Sequence, residues 1–172
     1  MMLRKGQQLL LPVNPAFIWA SLAVALLVNL LPVGRIAWMP DLLLVLIVFW
    51  SVHQPLRVGL GAVFALGLAM DVHHGALLGQ HALVYTAMGF GAISVHRRLL
   101  WFSVPWQAAQ VFWLFFAARS VGVLLRLVTG GDWPGWDVLL APAIEALLWP
   151  VVSMVLLAPQ RRSPNPDENR PI

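Results

Sequence analysis

The sequence predicts an all-α polytopic membrane protein, a compact bundle of six transmembrane helices, on three observations. Of its 172 residues, 60% are hydrophobic and only 10% are charged, where a soluble domain carries roughly a quarter; the mean hydropathy is +0.79. Such a chain cannot coat itself for water. Six apolar runs approach the roughly 17–25 residues that crossing a bilayer requires. The basic residues lie between those runs in an order that alternates sides of a membrane. The length allows one bundle and leaves no room for a soluble catalytic domain.

The runs follow in order. Ala16–Val33 is the first and Ile36–Val52 the second, with Pro40 read as a first-turn proline. Val58–Gly75 is the third, His81–Val95 the fourth, Val104–Val128 the fifth and Val138–Ala158 the sixth. The second and fourth are short. From residue 159 onward the chain is polar and proline-rich, expected to be a disordered cytoplasmic tail with nothing to bury. The first run follows Arg4 and Lys5 as a signal peptide would, but it is long and lacks a small-residue cleavage site in a polar region, so an uncleaved helix is expected.

Charge placement supports the count. Arg4, Lys5, Arg57, Arg97, Arg98, Arg161 and Arg162 all share one side if every run crosses, leaving Arg35 and Arg126 opposite. The positive-inside rule then places both termini in the cytoplasm. Removing one crossing would put Arg161 and Arg162 outside. Trp38, Trp133 and Trp136 fit an outer interfacial belt, and Trp19, Trp101 and Trp106 an inner one. A net charge of +4 does not indicate nucleic acid, because short basic clusters between apolar runs are explained by topology and by contact with membrane lipid.

Few ionisable groups lie inside the runs. At about 1.5 Å rise per residue, Asp71 sits roughly 6 Å, Glu145 about 10 Å and Arg119 about 14 Å from the outer ends of their helices. Asp41 lies at the mouth of the second. Isolated charges in hydrocarbon are unfavourable, so Arg119 and Glu145 are expected to pair with each other, or one of them with Asp71. Gly59, Gly67, Asp71, Gly75 and Gly79, with Val63, form a four-residue ladder that predicts one narrow helix face where a neighbouring backbone approaches closely. Gly67, Asp71, Gly75, Gly79, Arg119 and Glu145 are therefore the candidate packing or partner-docking residues.

Catalytic signatures are missing. There is no GxSxG, HExxH, P-loop or paired-aspartate motif, and cysteine is absent, which excludes thiolate chemistry and Cys-ligated zinc. Asp71, His73, His74 and His81 are of metal-ligating type, but positions 73 and 74 point about 100° apart on a helix. The sequence predicts no enzyme, no metal site and no cofactor. Scattered serines are expected to bond their own helix backbones, and Pro142 and Pro150 to kink the last helix.

The segment from residue 40 to residue 79 resembles the rod shape-determining protein MreD family. The resemblance rests on Pro40 and Asp41 opening an aliphatic helix that ends at Trp50, the Pro55-x-Arg57 turn, the glycine-bearing helix with Gly59 and Gly67, then Asp71 and Leu78-Gly79. Leu148, Trp149 and Pro150 in the last run also match, as do length and six-span layout. The resemblance implies a non-enzymatic subunit of the inner-membrane machinery that elongates the lateral wall of rod-shaped bacteria and supports peptidoglycan synthesis. It implies MreC as partner and, more loosely, MreB, RodA and a class B transpeptidase. At fold level the chain is also similar to substrate-binding subunits of energy-coupling-factor vitamin transporters, which supplies the alternative function.

Overall fold

The structure is a computed structural model that describes residues 13–31 and 38–160. Six α-helices make up the described chain: α1 (Pro15–Asn29), α2 (Leu42–His53), α3 (Leu60–His74), α4 (Gln80–Leu100), α5 (Val104–Val128) and α6 (Ala141–Leu157). Short 3-10 helices, Trp136–Leu140 and Ala158–Gln160, flank α6. No strand occurs among the described residues. The expected disordered tail lies outside them, apart from Pro159 and Gln160, which close the second of these 3-10 helices.

Helices α2, α4, α5 and α6 form a closed ring in which each packs on the next, with α1 added against α2 and α3 against α4. The starts of α2, α4 and α6 share one end of the bundle with the close of α1 and α3. Helix α2 is the core. Every residue from Leu43 to Val52 is buried, so its aliphatic run serves packing on all sides rather than one face. At 12 residues it is about 18 Å long, which suffices for an enclosed helix but not for the ~30 Å hydrocarbon layer.

Among the described residues, two segments are long and apolar enough to cross a membrane: α5 and the continuous run Trp136–Gln160, 25 residues each. Helices α1, α2 and α3 are apolar but shorter.

Several boundaries differ from the expected runs. Pro40 is not in a first turn; it precedes Asp41, whose carboxylate accepts the Leu44 N–H at 2.9 Å and so starts α2 at Leu42. The first run stops at Asn29; Val33 lies outside the described residues. The fourth is not short: α4 continues to Leu100 and carries Arg97 and Arg98 in its last turn, where cations complement the helix dipole. The fifth matches at both ends. The sixth is divided, because a 3-10 segment precedes α6. Pro142 therefore sits in the first turn of α6, where it costs no hydrogen bond, and only Pro150 interrupts the helix interior.

The glycine ladder is not one helix face. Gly75 ends α3 in the left-handed region (φ 59°), and Gly79 opens α4 at φ 103°. Glycine is favoured at both because a Cβ there would be strained. Only the rungs from Val63 to Asp71 lie on a buried face of α3. Gly67 is the tight one: a Cβ there would lie 2.6 Å from the Ala82 backbone nitrogen and 2.9 Å from the His81 carbonyl carbon.

Candidate functional site

The carboxylates of the bundle, Asp41, Asp71 and Glu145, collect at one end of the helix ring. Asp41 is the N-cap of α2, and its side chain does more than cap. Oδ1 accepts from the Leu44 N–H and from Asn29 Nδ2 at 2.6 Å, while Oδ2 accepts from the Tyr85 hydroxyl. The Asp41 N–H, one of the donors a helix start leaves unpaired, donates to Glu145 Oε1 at 3.0 Å. Arg119 Nη2 donates to the same oxygen at 3.0 Å. Asn29, Asp41, Tyr85, Arg119 and Glu145 thus tie α1, α2, α4, α5 and α6 together. Glu145 is fully buried, whereas the Arg119 side chain keeps 26% of its surface exposed.

Asp71 belongs to a second, separate cluster. Gly79 has no side chain with which to cap α4, and Asp71 does that work from α3. Its Oδ2 accepts the Gly79 N–H at 2.8 Å and the Ala82 N–H at 3.4 Å; its Oδ1 accepts the His81 N–H at 2.7 Å and lies 2.8 Å from His81 Nδ1. A carboxylate at a helix start is favoured by the unpaired N–H groups and by the dipole. The His81 ring stacks on His74, with centroids 5.0 Å apart. His74 Nδ1 lies 3.0 Å from the Met70 carbonyl oxygen. No group of three ligand-type side chains among the described residues is placed to hold a metal.

The opposite half of the bundle is aromatic. Phe49 packs against Trp50, His53 and Trp149. Trp50 donates from Nε1 to Ser21 Oγ at 2.9 Å, and Trp149 to Gln107 Oε1 at 3.2 Å. Both tryptophans of the family-like pattern are thereby core anchors with a satisfied N–H. Pro55 and Arg57 occupy the turn between α2 and α3, where Arg57 is exposed.

Of the residues singled out in the sequence, the structure brings Arg119 and Glu145 together and adds Asp41 to them. It does not bring Asp71 to either. Gly67 packs internally against α4, whereas Gly75 and Gly79 shape the turn rather than a packing face. Asn29 and Tyr85 were not singled out. Tyr85 carried a signal, being the only tyrosine and lying one helical turn after His81 in an apolar stretch. Ser21, Ser94 and Ser120 bond their own helix carbonyls, but Ser51 and Ser153 are buried with no partner among the described residues.

Chemically, this arrangement holds helices in register. The carboxylates are occupied by N–H and O–H donors from neighbouring helices, and they do not converge with a nucleophile on a cavity. An open groove of about 540 Å³ between α3 and α4 is lined by Leu60, Phe64, Leu83, Thr86, Ala87 and Phe90, with no titratable side chain.

Comparison with known proteins agrees with the motif pattern. A family model described as rod shape-determining protein MreD matches residues 12–158. A curated relative, "Rod shape-determining protein MreD" of Haemophilus influenzae, is 28% identical over 131 residues, covering 76% of this chain and 81% of the relative. No solved structure matches. Neither match supports the vitamin-transporter alternative.

Proposed function

The chain belongs to the rod shape-determining protein MreD family, and on that premise we propose that it is a non-enzymatic, multi-pass subunit of the bacterial cell-elongation machinery in the inner membrane. In this role it binds MreC and supports lateral peptidoglycan synthesis, with MreB, RodA and a class B transpeptidase as more distant partners. The chain crosses six times, α2 doing so only together with the residues that flank it, and both termini are cytoplasmic. The end of the bundle holding Asp41, Asp71 and Glu145 then faces the periplasm.

One observation carries the adaptor role: Asn29, Asp41, Tyr85, Arg119 and Glu145 form a chain of helix-to-helix bonds, from Asn29 of α1 through to Glu145 of α6. A scaffold needs fixed helix positions and external apolar surface. This bundle has both, since Phe64, Leu83, Phe90, Trp113, Leu147 and Val155 are exposed hydrophobic side chains, and in lipid such surfaces associate through close packing.

The test is affinity purification of the tagged full chain from native membranes of its own host. MreC is the expected co-purifying protein, in saturable stoichiometry and without an ATPase module. Recovery of ATPase subunits in place of MreC would overturn the proposal. A cysteine-accessibility experiment at positions 132 and 164, in the α5–α6 connection and near the C-terminus, tests the topology: labelling from opposite sides of the membrane is expected.

A further inference from the structure

We propose that the seam between α3 and α4 binds an anionic phospholipid: one acyl chain lies in the apolar groove, and the phosphate meets Arg57 and Arg97 at its cytoplasmic end. The groove holds about 540 Å³ and is walled by Leu60 and Phe64 of α3 and by Leu83, Ala87 and Phe90 of α4. Thr86, the one polar side chain lining it, already donates to the Ala82 carbonyl oxygen at 2.7 Å. The groove therefore offers contacts to hydrocarbon alone.

Dimensions select the occupant. At the rise of an α-helix, the lining from Gly79 to Phe90 runs about 16 Å. A helix of that length and ~10 Å diameter fills roughly 1,300 Å³, more than twice the space in the groove. Deeper entry is closed by the approach of the two backbones at Gly67, where a Cβ would lie 2.6 Å from the Ala82 nitrogen. A single hydrocarbon chain is thin enough to lie along the seam.

Charge at one mouth selects the head group. Both walls lead to an arginine at the same end: Arg57 lies three residues before Leu60, and Arg97 lies in the last turn of α4, seven residues beyond Phe90. Leu83, Ala87, Phe90, Ser94 and Arg97 recur at helical spacing and are all exposed, so Arg97 stands on the face of the groove about 10 Å past its end. The ester and glycerol that join an acyl chain to its phosphate, with the reach of the arginine, span that offset. Arg98 is exposed beside them. The described acidic residues, Asp41, Asp71, Asp132, Asp137 and Glu145, lie toward the opposite end, and no ion pair among the described residues involves these three arginines. A guanidinium matches phosphate oxygens in charge and in two-point hydrogen bonding. The inference rests on α3 and α4 crossing a bilayer, and not on MreC binding.

The test places the full-length protein in phosphatidylcholine nanodiscs that hold a small fraction of a photoreactive lipid. The probe carries a diazirine in one acyl chain and either a phosphatidylglycerol or a phosphatidylcholine head group, and mass spectrometry maps the labelled peptides. The phosphatidylglycerol probe is expected to label the segments around Phe64 and from Leu83 to Phe90 several-fold above α5 around Trp113, which is also exposed. The phosphatidylcholine probe is expected to label both alike. R57Q/R97Q/R98Q should lose the enrichment, at about fivefold in affinity per arginine, while Arg4, Lys5, Arg161 and Arg162 remain to set orientation. A87W, a substitution at an exposed position, fills the groove and should lose it with every arginine in place. Equal labelling of the seam by the two head groups, or enrichment that survives in either folded variant, would overturn the proposal. Failure of the bilayer reading would show separately, as same-side labelling in the cysteine-accessibility experiment.

Discussion

The backbone N–H of Asp41 donates to the side chain of Glu145 at 3.0 Å, across 104 residues of sequence. That bond joins the start of the central helix α2 to the last helix of the ring, and Arg119 shares the accepting oxygen. Closure of the α2–α4–α5–α6 ring is thus marked by one buried oxygen atom, which makes the surrounding residues the sharpest places to test the architecture.

Arg119 and Glu145 are expected to behave as a coupled pair. R119L removes a donor from a buried acceptor, at about 1–3 kcal/mol. The double variant R119L/E145Q is expected to lose less than the sum of the single variants, with a coupling of about 0.5–3 kcal/mol. Denaturant unfolding of the four proteins in micelles measures it. Strict additivity would show that the pair contributes nothing.

Tyr85 is expected to matter through its hydroxyl. Y85F leaves an Asp41 oxygen without its donor, and a hydrogen bond to a charged group is worth about 1.5–3 kcal/mol. Thr86 is the adjacent control, because its hydroxyl bonds the Ala82 carbonyl of its own helix. T86V should leave thermal unfolding nearly unchanged. Equal effects from the two substitutions would contradict the network.

Asp71 is expected to act locally on α4. Loss of an N-cap acceptor costs about 0.5–2 kcal/mol, so D71A should speed amide hydrogen exchange in the first turn from Gln80 to Leu83. D71N keeps a side-chain oxygen and should fall between D71A and wild type. Unaltered exchange in D71A would remove the capping role.

Gly67 should be intolerant where Gly61 and Gly91 are not. A Cβ at Gly67 meets the α4 backbone, whereas at Gly61 and Gly91 it meets nothing within 4 Å. G67A forces α3 and α4 apart, at about 1–3 kcal/mol. G61A and G91A should be neutral or gain up to about 1 kcal/mol from helix propensity. Expression level and unfolding temperature across the three variants separate these outcomes; loss of MreC co-purification in a stable G61A or G91A protein would locate the partner surface there.

Much of the helix layout was legible in the sequence, and the reason is the length and continuity of its apolar runs. The fifth helix agrees with its apolar run at both ends, where Ser103-Val104-Pro105 and Thr129-Gly130-Gly131 punctuate it locally. Less legible were ends set by distant groups. Helix α4 starts at Gln80 because Asp71 caps it from another helix, and no local pattern announces that. Pro40 was placed inside a helix because proline suits a first turn, yet the carboxylate beside it caps a helix that starts two residues later, at Leu42.

The sequence by itself determined that the chain is an all-helical, strongly apolar protein of the MreD family, and that Arg119 and Glu145 need partners. Hydropathy, charge and residue order are properties of the linear chain. Only the tertiary structure decided which partners they find. Asp71 was first legible as an acid set among glycines on a packing face. It proved to be the cap of the following helix, while Asp41, Tyr85 and Asn29 joined the Arg119–Glu145 pair. Hydrogen bonds act over about 3 Å, and which donors come that close depends on how the helices pack across the ring, which spacing along the chain does not encode.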